Sequence, residues 1–134
     1  MASTINASST ANGIVSTADA SGILNIQSNG VNTNAQAWAR ATWNGSTLTV
    51  NNSYNMSSVT RTATNSFTFS MTNALADANY AVIGNCVFSS TYNGAEFIPS
   101  SSAGTWTSTT FYVVTTTAQG VGSDPAGLSV MVLR

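Results

Sequence analysis

The chain has 134 residues, only 5% of them charged, and its formal net charge is -1 with no lysine and no histidine. Globular domains usually carry about 25% charged residues, whereas about two residues in five are Ser, Thr or Asn here. Three arginines are too few for the basic surface that phosphate backbones require, which argues against nucleic acid as a partner. The 43% of apolar residues predicts one folded domain, and the low charge favours a protein held in an assembly.

The first 34 residues are mostly small and polar, with few large apolar side chains. Two short apolar patches in them, "GIV" and "GILNI", each begin with glycine. Such patches can add strands to the rest of the chain, to a second copy or to another protein. The sequence opens without the features of a signal peptide, and no apolar run reaches the roughly 20 residues of a membrane helix. We therefore expect synthesis in a cytoplasm and no membrane insertion.

The remaining chain reads as a series of β-strands, because helix-forming Glu, Lys and Gln are scarce while alternating apolar residues are frequent. The stretch "SFTFSMT" alternates strictly, which is typical of a half-buried strand, and Asn44-Gly45 predicts a hairpin turn. The stretch "ANYAVIGNCVF" is apolar on both faces and predicts a central strand, with Gly84 at a bulge or a close contact. The predicted strands are residues 37–43, 47–50, 54–62, 66–72, 78–88, 110–117 and 127–134.

Strands spaced about 8–12 residues apart, with turn residues between them, indicate a β-sandwich or barrel. We predict an all-β fold: an antiparallel β-sandwich of jelly-roll-like type over residues 35–134, with an extended N-terminal arm over residues 1–34. The predicted core consists of Trp38 or Trp43 together with Phe67, Phe69, Tyr80, Val82, Phe111, Val113, Val130 and Val132.

Few residues in this composition can do catalytic chemistry. Without histidine or lysine the chain lacks the bases of serine triads and Ser-Lys pairs, and the single Cys86 leaves no ordinary zinc site. Asp77 and Glu96 are the candidates for glycoside hydrolysis, which needs two carboxylates about 5–10 Å apart. The alternative, which we favour, is that Asp77 shapes a turn and Glu96 pairs with an arginine. Asp124 alone is a weak signal for calcium, so we expect a non-enzyme without metal or cofactor.

Cys86 lies in the apolar run "YAVIGNCVF". We expect it to be buried and to act as a small apolar residue, the alternative being a reactive or intermolecular thiol.

Three aromatic residues, Tyr54, Tyr92 and Trp106, lie in loop-like stretches rich in Asn or Ser. Sugars stack on exposed aromatic rings, so these residues are candidates for binding a host surface glycan. Trp and Tyr are also enriched where subunits meet, and a subunit interface is the alternative that we favour.

The run from Ala37, "AWARATWNGSTLTVNNSYNMSSVTRTATNSFTFSMTNALADANYAVIG", resembles a small domain common at the C-termini of phage tail fibres and related virion proteins, and so does the closing "GLSVMVLR". The opening "STINASSTANGIVSTADASGILNIQSNG" is similar to the N-terminal segment of many phage appendage and head-decoration proteins, where it lies at the attachment end. These resemblances imply a homotrimeric, β-structured virion protein that binds and does not catalyse.

The two resembling segments abut, without the shaft that separates them in long phage fibres. This favours a capsid decoration or cement protein on the virion surface, with the major capsid protein or another virion protein as its partner. A short tail fibre or tail tip that binds host glycans is the alternative. In this hypothesis the N-terminal segment is a docking arm. The apolar residues of the arm are Ile5, Ile14, Val15, Ile23, Leu24 and Ile26.

Overall fold

A computed structural model of the chain describes residues 27–28, 31–32, 35–88, 95–101 and 104–134. These residues form ten β-strands and no helix. In chain order the strands are β1 (Gln27–Ser28), β2 (Val31–Asn32), β3 (Ala35–Trp43), β4 (Leu48–Tyr54), β5 (Met56–Ala63), β6 (Ser66–Met71), β7 (Ala81–Val87), β8 (Ala95–Pro99), β9 (Thr110–Thr117) and β10 (Gly127–Leu133).

Eight of the strands form two antiparallel sheets of four. The first sheet has the order β4-β3-β10-β7 and the second sheet has the order β5-β6-β9-β8. The short strands β1 and β2 pair with each other and lie within the predicted arm. The all-β, antiparallel prediction is therefore confirmed, while these strand orders do not show a jelly-roll winding.

The predicted strands match the structure closely where the alternation is regular. The strand at residues 110–117 has the predicted bounds, and the hairpin at Asn44-Gly45 joins β3 to β4. Gly45 has a φ of 97°, and the Asn44 Oδ1 atom accepts hydrogen bonds from the backbone N–H groups of Ser46 and Thr47. The sequence did not predict β8, whose five residues "AEFIP" end in proline and show too little alternation to stand out.

The core lies between the inner faces of the two sheets, and small residues of the first sheet oppose large residues of the second. Strand β3 turns Ala37, Ala39 and Ala41 inward, all at most 2% exposed. The second sheet buries phenylalanine rings, and the ring centroids of Phe69 and Phe111 are 4.9 Å apart in a stacked arrangement. The buried apolar residues are Ala37, Ala39, Ala41, Val59, Phe67, Phe69, Met71, Val82, Phe111, Val113, Leu128, Val130 and Val132.

The predicted core is confirmed apart from its tryptophans. Trp38 and Trp43 are only half-buried and lie outside the core cluster. The period of two along β3 turns Trp38 outward, whereas Trp43 has the same parity as the inward-facing alanines but lies at the end of the strand, beside the Arg61 guanidinium. Tyr80 packs against the core but keeps part of its ring exposed. Its hydroxyl donates to the backbone oxygens of Thr107 and Thr110, and burial raises the pKa of Tyr80 to about 12.

The prediction of a central strand at residues 78–88 is wrong. Among the described strands, β7 pairs only with β10 and lies at the edge of the first sheet, with Ile83 51% and Val87 60% exposed. The apolar residues on its outer side face the surface, so the double-sided apolar pattern did not mean burial. Gly84 marks a close contact and no bulge, since a Cβ there would lie 2.5 Å from the Ser129 carbonyl oxygen.

The chain crosses from the first sheet to the second at Asn55, between β4 and β5. Asn55 has a φ of 52°, in the left-handed region that asparagine tolerates better than most residues. Its side-chain amide donates to the Gln36 carbonyl oxygen at 3.0 Å and accepts from the Asn73 N–H at 2.8 Å. Tyr54 is the last residue of β4, and these bonds hold the backbone directly after it in place.

Candidate functional site

A row of apolar and aromatic side chains crosses the outer face of the first sheet. Tyr54 is opposite Trp38, Trp38 is opposite Met131, and Met131 is opposite Ile83 in the strand register. Tyr54 is 42%, Met131 40% and Ile83 51% exposed, and Trp38 is half-buried. We call these four residues the apolar row. A sheet with one solvated face is expected to carry polar residues on that face, whereas this row of the outer face is apolar.

The adjacent row on the same face is polar. Arg40 is opposite Asn52 on one side and Ser129 on the other, and Ser129 is opposite Asn85. A surface depression of about 500 Å³ lies over the two rows, and it is lined on its polar side by Arg40, Asn85 and Ser129. The same three residues also line a smaller depression of about 190 Å³. The face thus combines apolar surface with hydrogen-bonding groups and one positive charge.

Arg40 is the arginine that has no carboxylate partner in the described part of the chain. The other two are occupied: Arg61 bonds Asp124 at 2.8 Å, and Arg134 bonds Asp77 at 2.7 Å. Arg40 is exposed, and its guanidinium therefore offers its donors to whatever covers the outer face.

Arg61 and Asp124 form a bidentate pair beside the end of the first sheet. The Arg61 Nε and Nη2 atoms donate to the two Asp124 oxygens at 2.9 and 2.8 Å, and the Asn65 N–H adds a third bond at 2.9 Å. Burial raises the pKa of Asp124, but the hydrogen bonds from Arg61 and Asn65 outweigh it, so the pKa lies below its usual value. The Arg61 guanidinium carbon also lies 4.9 Å from the Trp43 ring centroid. The Asp124 oxygens are thus engaged within the fold.

The structure separates the three predicted aromatic residues. Tyr54 belongs to the apolar row. Trp106 stacks on Tyr80 with ring centroids 5.3 Å apart, and its indole N–H donates to the Ser100 carbonyl oxygen at 2.8 Å. Trp106 therefore packs against the core with its polar atom already bonded. Tyr92 lies outside the described residues, as do the six arm residues Ile5, Ile14, Val15, Ile23, Leu24 and Ile26.

Each residue considered for catalysis has a partner within the fold. Asp77 shapes a turn as predicted, because its Oδ1 accepts the Asn79 N–H at 2.7 Å; this bond and the charge of Arg134 lower its pKa. The prediction that Glu96 pairs with an arginine is wrong for the described residues: its carboxylate accepts a hydrogen bond from the Thr116 hydroxyl at 2.7 Å. Both carboxylates thus have contacts that belong to turn and strand structure.

Cys86 packs against the core but is half-buried, so the prediction that it is buried is confirmed only in part. Its Sγ donates to the Glu96 carbonyl oxygen at 3.2 Å. Burial, together with the nearby Glu96 charge, raises the pKa of the Cys86 thiol, which lowers its thiolate fraction near neutral pH.

In residues 35–88, 95–101 and 104–134, no three His, Cys, Asp or Glu residues come together to hold a metal ion. The described part of the chain also contains no helix with the length and apolarity to cross a membrane. Comparisons of the whole chain with protein-family models, curated proteins and solved structures found no match.

Sequence reasoning missed most of this face, since only Tyr54 of the apolar row was a candidate. The signal was present in "AWARATW", where three alanines alternate with Trp38, Arg40 and Thr42. A regular series of small residues on one side of a strand indicates a close-packed inner face, and the larger residues then face outward. Met131 and Ile83 could be placed beside Trp38 only after the strand order was known.

Proposed function

We propose that this chain is a non-enzymatic structural protein of a phage virion: a homotrimeric capsid decoration or cement protein that attaches through its N-terminal arm. The apolar row on the outer face of the first sheet is the observation that supports self-association in this proposal. Exposed apolar patches with polar neighbours mark interaction sites more often than plain surface. The resemblance to virion proteins and the low charge support the particle surface as the place where this contact is used.

The attachment step belongs to the arm in this proposal. Its small side chains allow close backbone approach, and its apolar patches provide the side chains for strand addition to a virion protein. Exchange of arms between neighbouring copies around a threefold axis would bury apolar surface that one chain leaves exposed.

Copy number on the particle is the first test. We would purify particles that carry the protein and measure its amount against the major capsid protein by mass spectrometry. Copies on the order of hundreds, matching threefold positions of the capsid, support a decoration role. A few copies per particle, or none, contradict it.

A second experiment tests the arm. The full chain and a variant with Ile23, Leu24 and Ile26 changed to serine would be mixed with particles that lack the protein. Loss of binding by the variant supports docking through the arm. Equal binding by both proteins contradicts it.

The outer face also favours one other candidate, a short tail fibre or tail-tip protein that binds host glycans. Trp38 and Tyr54 are adjacent in register, and Arg40 and Asn85 lie in the neighbouring row, so ring stacking and hydrogen bonding are available together. Glycan binding that is lost in Trp38→Ala and Tyr54→Ala, but kept in Trp106→Ala, supports this role. The same binding in all three variants contradicts it.

A further inference from the structure

Two charges in the described part of the chain lack a partner of opposite sign, and they lie on opposite outer faces of the molecule. Arg40 projects from the first sheet, and Glu96 lies exposed on β8 in the second. The other four charged residues in this part form the pairs Arg61–Asp124 and Arg134–Asp77. One unmatched cation and one unmatched anion on two different faces provide charge complementarity between copies of the same chain.

The second sheet also carries apolar side chains beside its unmatched charge. Ile98 follows Glu96 by two residues on the same face of β8, is 40% exposed and lies opposite Val114 of β9. On the first sheet, Arg40 follows Trp38 by two residues. Two residues along a strand span about 6.8 Å in both sheets. The two faces therefore present a charge and an apolar group at the same separation.

We propose that the outer face of the first sheet packs on the outer face of the second sheet of the next copy, with Arg40 against Glu96 of the partner subunit. This inference goes beyond the proposed homotrimer, because it identifies a second contact between copies that the arm does not form. When the faces are stacked with the charges aligned, Trp38 lies against the partner's Ile98. The depression over the apolar row receives side chains from β8 and β9 of the partner.

In this contact the apolar row and the Arg40–Glu96 pair have different roles. Burial of the apolar row supplies most of the attraction, because an exposed ion pair adds little by itself. The Arg40–Glu96 pair fixes the register of the two faces and disfavours other partners. A contact between two different faces is heterologous, and because these faces lie on opposite sides of the sandwich, repeated contacts stack the copies in an open row and do not close into a ring.

A charge exchange on the full chain tests the proposal. We would measure the dissociation constant of the assembly by analytical ultracentrifugation for the wild type, Arg40→Glu, Glu96→Arg and the double variant. Each single change places like charges opposite each other and is expected to raise the dissociation constant at least about tenfold. The double variant restores opposite charges with reversed signs and is expected to return to within about threefold of the wild type.

Arg134→Glu is the matched control, since it makes the same charge change at an arginine already paired with Asp77 within the chain. It should leave the dissociation constant unchanged. Circular dichroism on every variant verifies the fold, and the recovery in the double variant cannot come from a misfolded protein. Single variants that assemble like the wild type, or a double variant that stays dissociated, overturn the proposal.

Two results separate this proposal from the proposed function. Many copies on the particle without rescue in the double variant overturn the face-to-face contact and leave the virion role in place. Rescue in solution with no copies on the particle supports the contact and contradicts the virion role. A wild type that stays monomeric and binds an acidic oligosaccharide through Arg40 assigns the face to a ligand and overturns the contact.

Discussion

The two sheets contribute different side chains to the core. The second sheet turns Phe67, Phe69 and Phe111 into the core, all at most 1% exposed. The first sheet turns alanines inward on β3 and holds Trp38 and Tyr54 on its outer face. The comparison teaches that the rings that fill the core and the rings on the outer face of the first sheet are different residues from different sheets, and of the latter Trp38 lines the depression.

This division follows from volume. Interiors are packed to near-crystalline density, so large rings from one sheet need small residues opposite them. Alanines on β3 leave room for the phenylalanines, and the period of two then places Trp38 and Arg40, which alternate with these alanines, on the outer face. The aromatic outer face is therefore a consequence of how the core is filled, and an assembly can use it without weakening the fold.

Phe111→Ala tests the comparison with the largest expected effect. The ring is fully buried, stacked on Phe69 and in edge contact with Tyr80. Its removal should lower the free energy of unfolding by about 3–5 kcal/mol, because the cavity cannot be filled by neighbouring rings. Urea denaturation followed by fluorescence measures this loss.

Trp38→Ala is the contrasting variant on the outer face. It should lower the free energy of unfolding by about 1 kcal/mol or less, since Trp38 lies outside the core cluster. The measurement is made at several protein concentrations to separate folding from association. Equal losses for Trp38→Ala and Phe111→Ala would show that the two sheets share the stabilising role.

Gly84→Ala tests, at the edge of the first sheet, whether a small residue is needed opposite a large ring of the second sheet. An added Cβ would lie 2.5 Å from the Ser129 oxygen and 2.7 Å from Cζ of Phe97 in the second sheet. Overpacking of this kind should lower the free energy of unfolding by about 1–3 kcal/mol. Gly127→Ala is the control, because the nearest atom to its added Cβ is the Ala41 oxygen at 3.8 Å. Similar denaturation midpoints for both variants would contradict a close contact at Gly84.

Asp124→Asn tests whether the ion pair of Asp124 with Arg61 stabilises the fold, and its expected effect is smaller than that of the core variants. The pKa of Asp124 is lowered in the folded protein, so its stabilisation is present above its unfolded pKa of about 3.9 and is lost as pH falls through the folded pKa. The variant should melt lower at pH 7 by roughly 5 °C. It should approach the wild type as pH falls through the lowered folded pKa of Asp124, and thermal melts over a pH series from neutral to strongly acidic measure the difference.

Asp77→Asn provides the comparison for this prediction. The Asp77–Arg134 pair is more exposed, with side chains 43% and 35% accessible against 17% and 26% for Asp124 and Arg61. Solvent and salt screen an exposed pair more strongly, so the melting temperature should change less at pH 7. A larger effect for Asp77→Asn than for Asp124→Asn would contradict the proposed importance of the Arg61 contact.

The sequence predicted the strands well because alternation reports local backbone geometry. The strictly alternating "SFTFSMT" gave both the strand and its buried residues, Phe67 and Phe69. The prediction for Trp38 was wrong, because its size suggested burial while the neighbouring alanines determined the inner face. The prediction for β7 was wrong as well, because an apolar outer side does not reveal whether a second layer covers it. The residues of the apolar row could not be brought together without the strand order, which depends on contacts between residues far apart in sequence.

The pairing of β3 with β10 has a consequence for folding kinetics. These strands are the first and last of the two sheets, and β10 also separates β3 from β7. The second sheet can form once β9 has been synthesised, whereas the first sheet has a gap until the seven residues of β10 are added. Closing so long a loop is slow. Until that step, the edge of β3 that pairs with β10 lacks its neighbour, and the half-formed chain exposes an open strand edge to other copies.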